Sequence, residues 1–300
     1  MKPRHLSQQD QIRLRHVRVA GQRPDLAQFP DFLIVGPQRT GTTWLYHNLK
    51  CHPEILLPAK KEIYYFSTLG HPEHRRYQFQ FLEDYMRIFD TSLAYRLNRH
   101  YDALRRCGCL YHPRVRGEAT ATYATLETDV IEEIAVLNPA VKAIVMVRHP
   151  VERALSHAKK ELLRKASGPV SDDELLHFCQ SQSKIELCDY DAILAAWRAH
   201  LRPGHVFVGD YREIVESPLA LLAAMHRFLG VLPGERYVKT RHVRETINAT
   251  LKRPISDELR AKISDLLHDE VAAYLRLSES IAEARVKGSA NPEGAAVVVG

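Results

Sequence analysis

Long apolar runs are missing from this chain. Stretches such as Leu219 to Met225 and Ala143 to Val147 fall far short of the roughly 20 residues that a helix needs to cross a bilayer, so no membrane span is expected. Cysteine is scarce as well. Five of them, Cys51, Cys107, Cys109, Cys179 and Cys188, stand at irregular spacing and in odd number, which fits reduced thiols and not a disulfide framework. The first 25 residues lack the apolar stretch of a secretory leader, and a cytoplasmic location is expected. Neither sign of charge dominates: 42 Lys plus Arg face 36 Asp plus Glu, a net +6. With 45% hydrophobic and 26% charged residues in 300, disordered, collagen-like and coiled-coil chains are excluded, and one domain of good size is expected.

The excess charge is local. Lys2, Arg4, Arg13, Arg15, Arg18 and Arg23 against Asp10 give the first 24 residues +5 of the total +6. No Phe, Tyr or Trp interleaves the first 28 positions, as base stacking would favour, so no nucleic-acid partner is expected. The chain divides on this reading into a solvated basic arm (1–28), a folded domain (29–280) and a flexible tail (281–300) ending in small residues.

Strand and helix signals alternate. Residues 31–36 are a buried strand entering a Gly-Pro loop, and a helix is expected over Thr42 to Lys50. Residues 141–147 form a second buried strand, followed by Pro150 as the opening residue of a helix over Val151 to Arg164. A third strand covers His205 to Val208 and a short one Gly117 to Ala124. Further helices are expected at Pro218 to Leu229, Ser256 to Leu267 and Asp269 to Leu277. This order predicts an α/β fold: one P-loop-like parallel sheet with helices on both faces, its ligands outside the carboxyl ends of the strands.

Two segments at such ends carry chemistry. Gly36-Pro-Gln-Arg-Thr-Gly41-Thr42-Thr43 has the glycine spacing of a Walker A loop, with Thr42 in place of the lysine that grips the outer phosphates of ATP. Its backbone can still cradle an anion at a helix N-terminus, and Arg39 supplies a positive charge three positions earlier. About a hundred residues on, Arg148-His-Pro-Val-Glu-Arg153-Ala-Leu-Ser156 places an arginine at a strand end, a proline at a helix start, and Arg153 and Ser156 on one helix face. Arg148 and Ser156 suit a phosphate. Two anion sites on neighbouring strand ends fit a nucleotide phosphorylated at both ends.

Pro37-Gln-Arg-Thr-Gly-Thr-Thr-Trp44 resembles the 5′-phosphosulfate loop of sulfotransferases that use 3′-phosphoadenosine 5′-phosphosulfate (PAPS). Arg148 to Ser156 resembles their 3′-phosphate motif, with His149 where Asp is usual. Lys60-Lys61-Glu62-Ile-Tyr-Tyr-Phe66 resembles a stretch of the heparan sulfate sulfotransferases in which the Glu is the base, and Lys252-Arg253-Pro254 lies where those enzymes carry a basic loop closing over the nucleotide. The resemblance covers residues 31–275. It implies a PAPS-dependent enzyme transferring a sulfuryl group to a hydroxyl, or an amine, of a carbohydrate or small natural product, without a metal. Gln38, Arg39, Thr40, Gly41, Thr42, Thr43, Trp44, Arg148, Ser156, Lys252 and Arg253 would hold the donor. Glu62 would be the base and Arg39 would neutralise the leaving group.

Small-molecule sulfotransferases use a histidine instead. The matching segment here, Gly117 to Tyr123, has alanine at both the lysine and histidine positions, which favours Glu62. It also lacks, at Ala119, a lysine that the heparan-type enzymes use, a role for which Lys61 or Lys60 is the replacement. Cys107-x-Cys109-x-x-His112 has no second half that would complete a zinc site. The rival reading is a kinase-like phosphotransferase with a degenerate Walker loop and Asp210 as its magnesium carboxylate.

Overall fold

The computed structural model describes residues 5–21, 24–166, 168–239, 242–243 and 254–290. Five parallel strands, β1 (Phe32–Gly36), β2 (Ile55–Leu56), β3 (Val115–Ala119), β4 (Lys142–Val147) and β5 (Val206–Asp210), form one sheet in the order β2-β3-β1-β4-β5. β1 and β5 are buried along their whole length, as a sheet covered on both faces requires.

Alternation along β1 distributes its side chains between two cores. Phe32 and Ile34 pack with Leu45 and Leu49 of α1 (Thr42–Leu49) and with Leu222 and Met225 of a later helix, Pro218–Leu229. Leu33 and Val35 pack on the other face with Ile131 and Ile134 from Thr128–Leu137, and with Ile193 and Trp197 from Tyr190–His200. The chain leaves β3 on one side of β1 and re-enters as β4 on the other. Connections therefore diverge around β1, and a crevice opens at its carboxyl end.

Several sequence expectations are corrected. The short strand stops at Ala119, not Ala124. The Thr120 N–H still reaches the Ile34 carbonyl, but Ala121–Thr125 then coil into a 3₁₀ turn closed by Tyr123 N–H on Thr120. The edge strand β2 went unread because its two residues are too short for any period.

The described residues of the N-terminal arm are docked along the domain. Leu6, Val17 and Leu26 are buried, Arg13 pairs with Glu132 at 3.0 Å, and the buried Glu133 carboxylate accepts the N–H groups of Arg15, His16 and Val17 at 2.8 to 2.9 Å. At the other end, the last helix runs His268–Ala290, so the expected tail from 281 begins inside it. Ile281 is buried, and Arg285 donates to Glu213 and to the Val208 carbonyl; these contacts hold the final turns.

Candidate active site

The crevice is a cleft of about 1350 Å³. One wall is the loop after β1. Gly36 has φ +111°, and a Cβ there would lie 2.3 Å from the Ala121 carbonyl oxygen, so only glycine lets the chain turn so close to the 3₁₀ turn after β3. Gly41, at φ +94°, is the N-cap of α1 and offers no capping side chain. The first N–H groups of that helix therefore face the cleft without a side-chain acceptor, an anion cradle. Gln38, Arg39, Gly41, Thr42, Thr43 and Trp44 line it. Thr40 does not: its buried hydroxyl donates to the Pro37 carbonyl at 2.7 Å and closes the loop from inside. The Trp44 indole N–H donates to the Val243 carbonyl at 3.3 Å.

The two anion motifs meet at Arg39. Its Nε donates to Ser156 Oγ at 2.9 Å, and its carbonyl accepts from Arg148 Nη1 at 3.1 Å. Arg148 is held from behind, its backbone bonded to Tyr190 and its guanidinium 4.3 Å over the Tyr211 ring. Ser156 lies on α2 (Pro150–Leu163), which Pro150 opens. Burial and the neighbouring Arg148 both push the Arg39 pKa down: two guanidiniums share a partly desolvated space, which an anion between them would relieve. His149 turns away to stack edge-on against Tyr274 at 5.4 Å. Arg153 is buried, bonded to Cys188 Sγ and the Lys184 carbonyl.

Glu62 and Lys61 form the opposite wall. The Lys61 ammonium donates to Thr42 Oγ1 at 3.0 Å and to Glu62 Oε1 at 2.6 Å, and Glu62 Oε2 accepts the Ala121 N–H at 3.1 Å. Each carboxylate oxygen keeps a further lone pair for a substrate proton. Lys60 is exposed and outside the cleft lining, so of the two lysines Lys61 alone sits at the site. Lys252 and Arg253 lie outside the described residues.

Glu62 and Tyr64 have φ of +65° and +63°, and Arg39 on the facing wall +73°. Side chains rarely occupy this region; around Glu62 and Tyr64 the chain is held there by bonds to the end of β3 and the turn after it. Glu118 is fully buried and accepts from Tyr85 (2.6 Å), Tyr123 (2.9 Å) and Thr120 (2.9 Å). Thr120 Oγ1 in turn accepts the Ile63 N–H at 3.0 Å, and Tyr123 OH the Phe66 N–H at 3.2 Å. Burial raises the Glu118 carboxyl to about 7.

Lys160, His157 and Tyr211 also line the cleft and were not singled out from the sequence. Lys160 lies one helical turn beyond Ser156, a spacing that would have found it; burial, and then Arg39, lower its pKa. Burial, and then the neighbouring Arg153, drive the His157 imidazole down to about 3. Asp210 is absent from the lining: it caps the helix Tyr211–Glu216 and is bound by Arg212, Tyr274 and Ser278. The kinase reading loses its magnesium carboxylate.

The family model described as "Sulfotransferase family" matches residues 30–232. The chain is 26% identical over 244 residues to bifunctional heparan sulfate N-deacetylase/N-sulfotransferase 2 of Homo sapiens, covering 75% of this chain and 25% of that protein. It is 28% identical over 162 residues to the membrane-associated sulfotransferase kil1 of Dictyostelium discoideum, 53% of this chain and 29% of that one. The chain thus spans about a quarter of the length of these curated relatives. A sulfotransferase structure from Alicyclobacillus acidocaldarius shares the fold, with a TM-score of 0.59 and 23% identity over 81% of this chain and 93% of that one.

Proposed function

The chain belongs to the sulfotransferase family, whose sulfuryl donor is PAPS, and from that premise we propose that it sulfonates a hydroxyl or amine of a carbohydrate or small natural product, with Glu62 as base. The carrying observation is the meeting of the two anion motifs at Arg39, with the Lys61–Glu62 pair on the facing wall and bonded to Thr42 of the same loop. The cationic loop wall fits a donor charged at both ends of its ribose. Arg148 and Ser156 take the 3′-phosphate; Arg39 and the first N–H groups of α1 take the 5′-phosphosulfate.

Transfer forms a bond from the acceptor oxygen or nitrogen to sulfur and breaks the bond from sulfur to the bridging oxygen, releasing adenosine 3′,5′-bisphosphate. Arg39 and Lys61 offset the charge that grows on that oxygen, and Glu62 receives the acceptor proton. Lys61 thereby replaces the lysine missing at Ala119. A second hollow adjoins the cleft, sharing Gln38, Tyr64 and Arg76 with it and lined also by His16, Ser67, His71 and His74, and gives an extended acceptor room. Arg76 stacks 4.2 Å over the Tyr64 ring at the junction.

The test is calorimetric titration with adenosine 3′,5′-bisphosphate and with ATP. The bisphosphate is expected to bind much more tightly than ATP. Preference for magnesium-ATP, or indifference to the 3′-phosphate, would refute the donor assignment.

A further inference from the structure

The helix α3 (Leu93–Cys107) packs beyond the carboxyl end of α1: Arg99 donates to the Lys50 and His52 carbonyls and Arg106 to the Cys51 carbonyl. Its inner face is held by these bonds and by Ala103, which is buried. The outer face is apolar and open to solvent, with Leu93 73%, Leu97 58%, Tyr101 67% and Leu104 50% exposed, followed past the helix end by Leu110 at 62%.

Spacings of four, four and three residues put these four side chains in one stripe roughly 80° wide. Arg96 and Arg105, both exposed, stand about 100° to one side and about 80° to the other of its midline. The helix has a single acid, Asp102, which is turned inward to Arg106 (3.0 Å), Arg99 (3.7 Å) and Lys239 (3.5 Å). The outer face therefore carries only positive charge, at its two edges.

We infer that α3 is an interfacial helix that seats this chain on an anionic lipid surface. Leucines and a tyrosine in a narrow stripe enter the headgroup boundary, and arginines on both edges reach the lipid phosphates. The same charges oppose pairing with a second copy. Two such helices face to face would bring arginine edges together with no acid to meet them, and four side chains offer well under the roughly 800 Å² per partner that a stable dimer buries. The anion loop of the cleft lies at the opposite end of α1.

The inference does not rest on the proposed function, and its test reads binding only. The full chain is sedimented with vesicles of phosphatidylcholine alone or with 30 mol% phosphatidylglycerol. At least tenfold tighter partition onto the anionic vesicles is expected. Leu97→Gln with Leu104→Gln should reduce it at least tenfold, and Arg96→Gln with Arg105→Gln by about fivefold per arginine with a weaker salt dependence. An unchanged melting temperature would show that the variants fold. Equal partition onto both vesicles, or a leucine variant that binds as the wild type does, would overturn the inference. So would a wild-type dimer in sedimentation velocity that the leucine variant makes monomeric, without vesicle binding; the stripe would then belong to a second copy.

Discussion

The two walls of the cleft are built by different means. The loop wall comes from regular elements: a buried strand, a glycine turn, a helix with no side-chain cap at its N-terminus, and a second strand whose end delivers Arg148. The wall carrying Lys61 and Glu62 has no regular secondary structure. It is tied to β3 through Glu62 N–H on the Ala119 carbonyl and Ile63 N–H on Thr120, and Glu118 fixes Thr120 from within the core. The first wall takes its turn and helix start from local geometry and is joined across the crevice by Arg39 to Arg148 and Ser156; the second depends on a buried carboxyl about 55 residues away in sequence. One wall binds and the other, on our proposal, reacts, so substitutions on the two should separate affinity from turnover.

The largest effect is expected at Glu62. Glu62→Gln keeps the size and the acceptor oxygen but cannot take the proton, and turnover should fall by about 10² to 10⁴ while affinity for adenosine 3′,5′-bisphosphate stays within about twofold. Single-turnover rates with labelled PAPS, beside calorimetric titration, measure both. A variant with unchanged turnover would move the base elsewhere and erase the contrast between the walls.

Glu118 comes next, read through stability. Burial raises its carboxyl from an ordinary 4.5 to about 7, so between those values the folded chain holds a proton that the unfolded chain has released. Stability from this group must then fall as pH rises through that window, by on the order of 3 kcal/mol. Melting curves from pH 4.5 to 7.5 should show the decline in the wild type and a flatter line in Glu118→Gln. Parallel slopes would mean that Glu118 is ionised in the fold.

The contrast explains what the sequence made legible. The loop wall was readable because each part is a local signal: Gly36 and Gly41 for the turn, Pro150 for the helix start, Arg148 and Ser156 in register behind it. Glu62 is legible through its neighbours in a motif, yet nothing near it shows what holds its left-handed backbone, because the residues that bind the segment, Ala119, Thr120 and through it Glu118, lie about 55 positions on. The arm was misread for the same kind of reason. Its arginines suggested a solvated segment, but Glu133 collects three backbone N–H groups and Leu6, Val17 and Leu26 are buried. The apolar face of α3 also escaped notice, since four apolar residues among arginines make no run.

On the binding wall, Arg148→Ala should weaken adenosine 3′,5′-bisphosphate by about 2 kcal/mol, roughly thirtyfold. The turnover of saturated enzyme should fall much less than in Glu62→Gln. Titration and saturation kinetics on the same preparation decide this; a loss confined to turnover would place Arg148 in the chemistry.

The smallest effect tests whether backbone strain shapes the second wall. Tyr64 is half-buried, at φ +63°, with its ring under Arg76. Tyr64→Gly and Tyr64→Val both remove the ring and its cation–π contact, but only valine keeps a branched side chain in the left-handed region, where it is strongly disfavoured. Glycine loses more freedom on folding, which offsets part of its advantage. The glycine variant should therefore be the more stable of the two by about 1 kcal/mol in chemical denaturation. Equal losses would mean that the Arg76 stack, and not the turn forced by Ile63 on Thr120, sets the path of the chain beside Glu62.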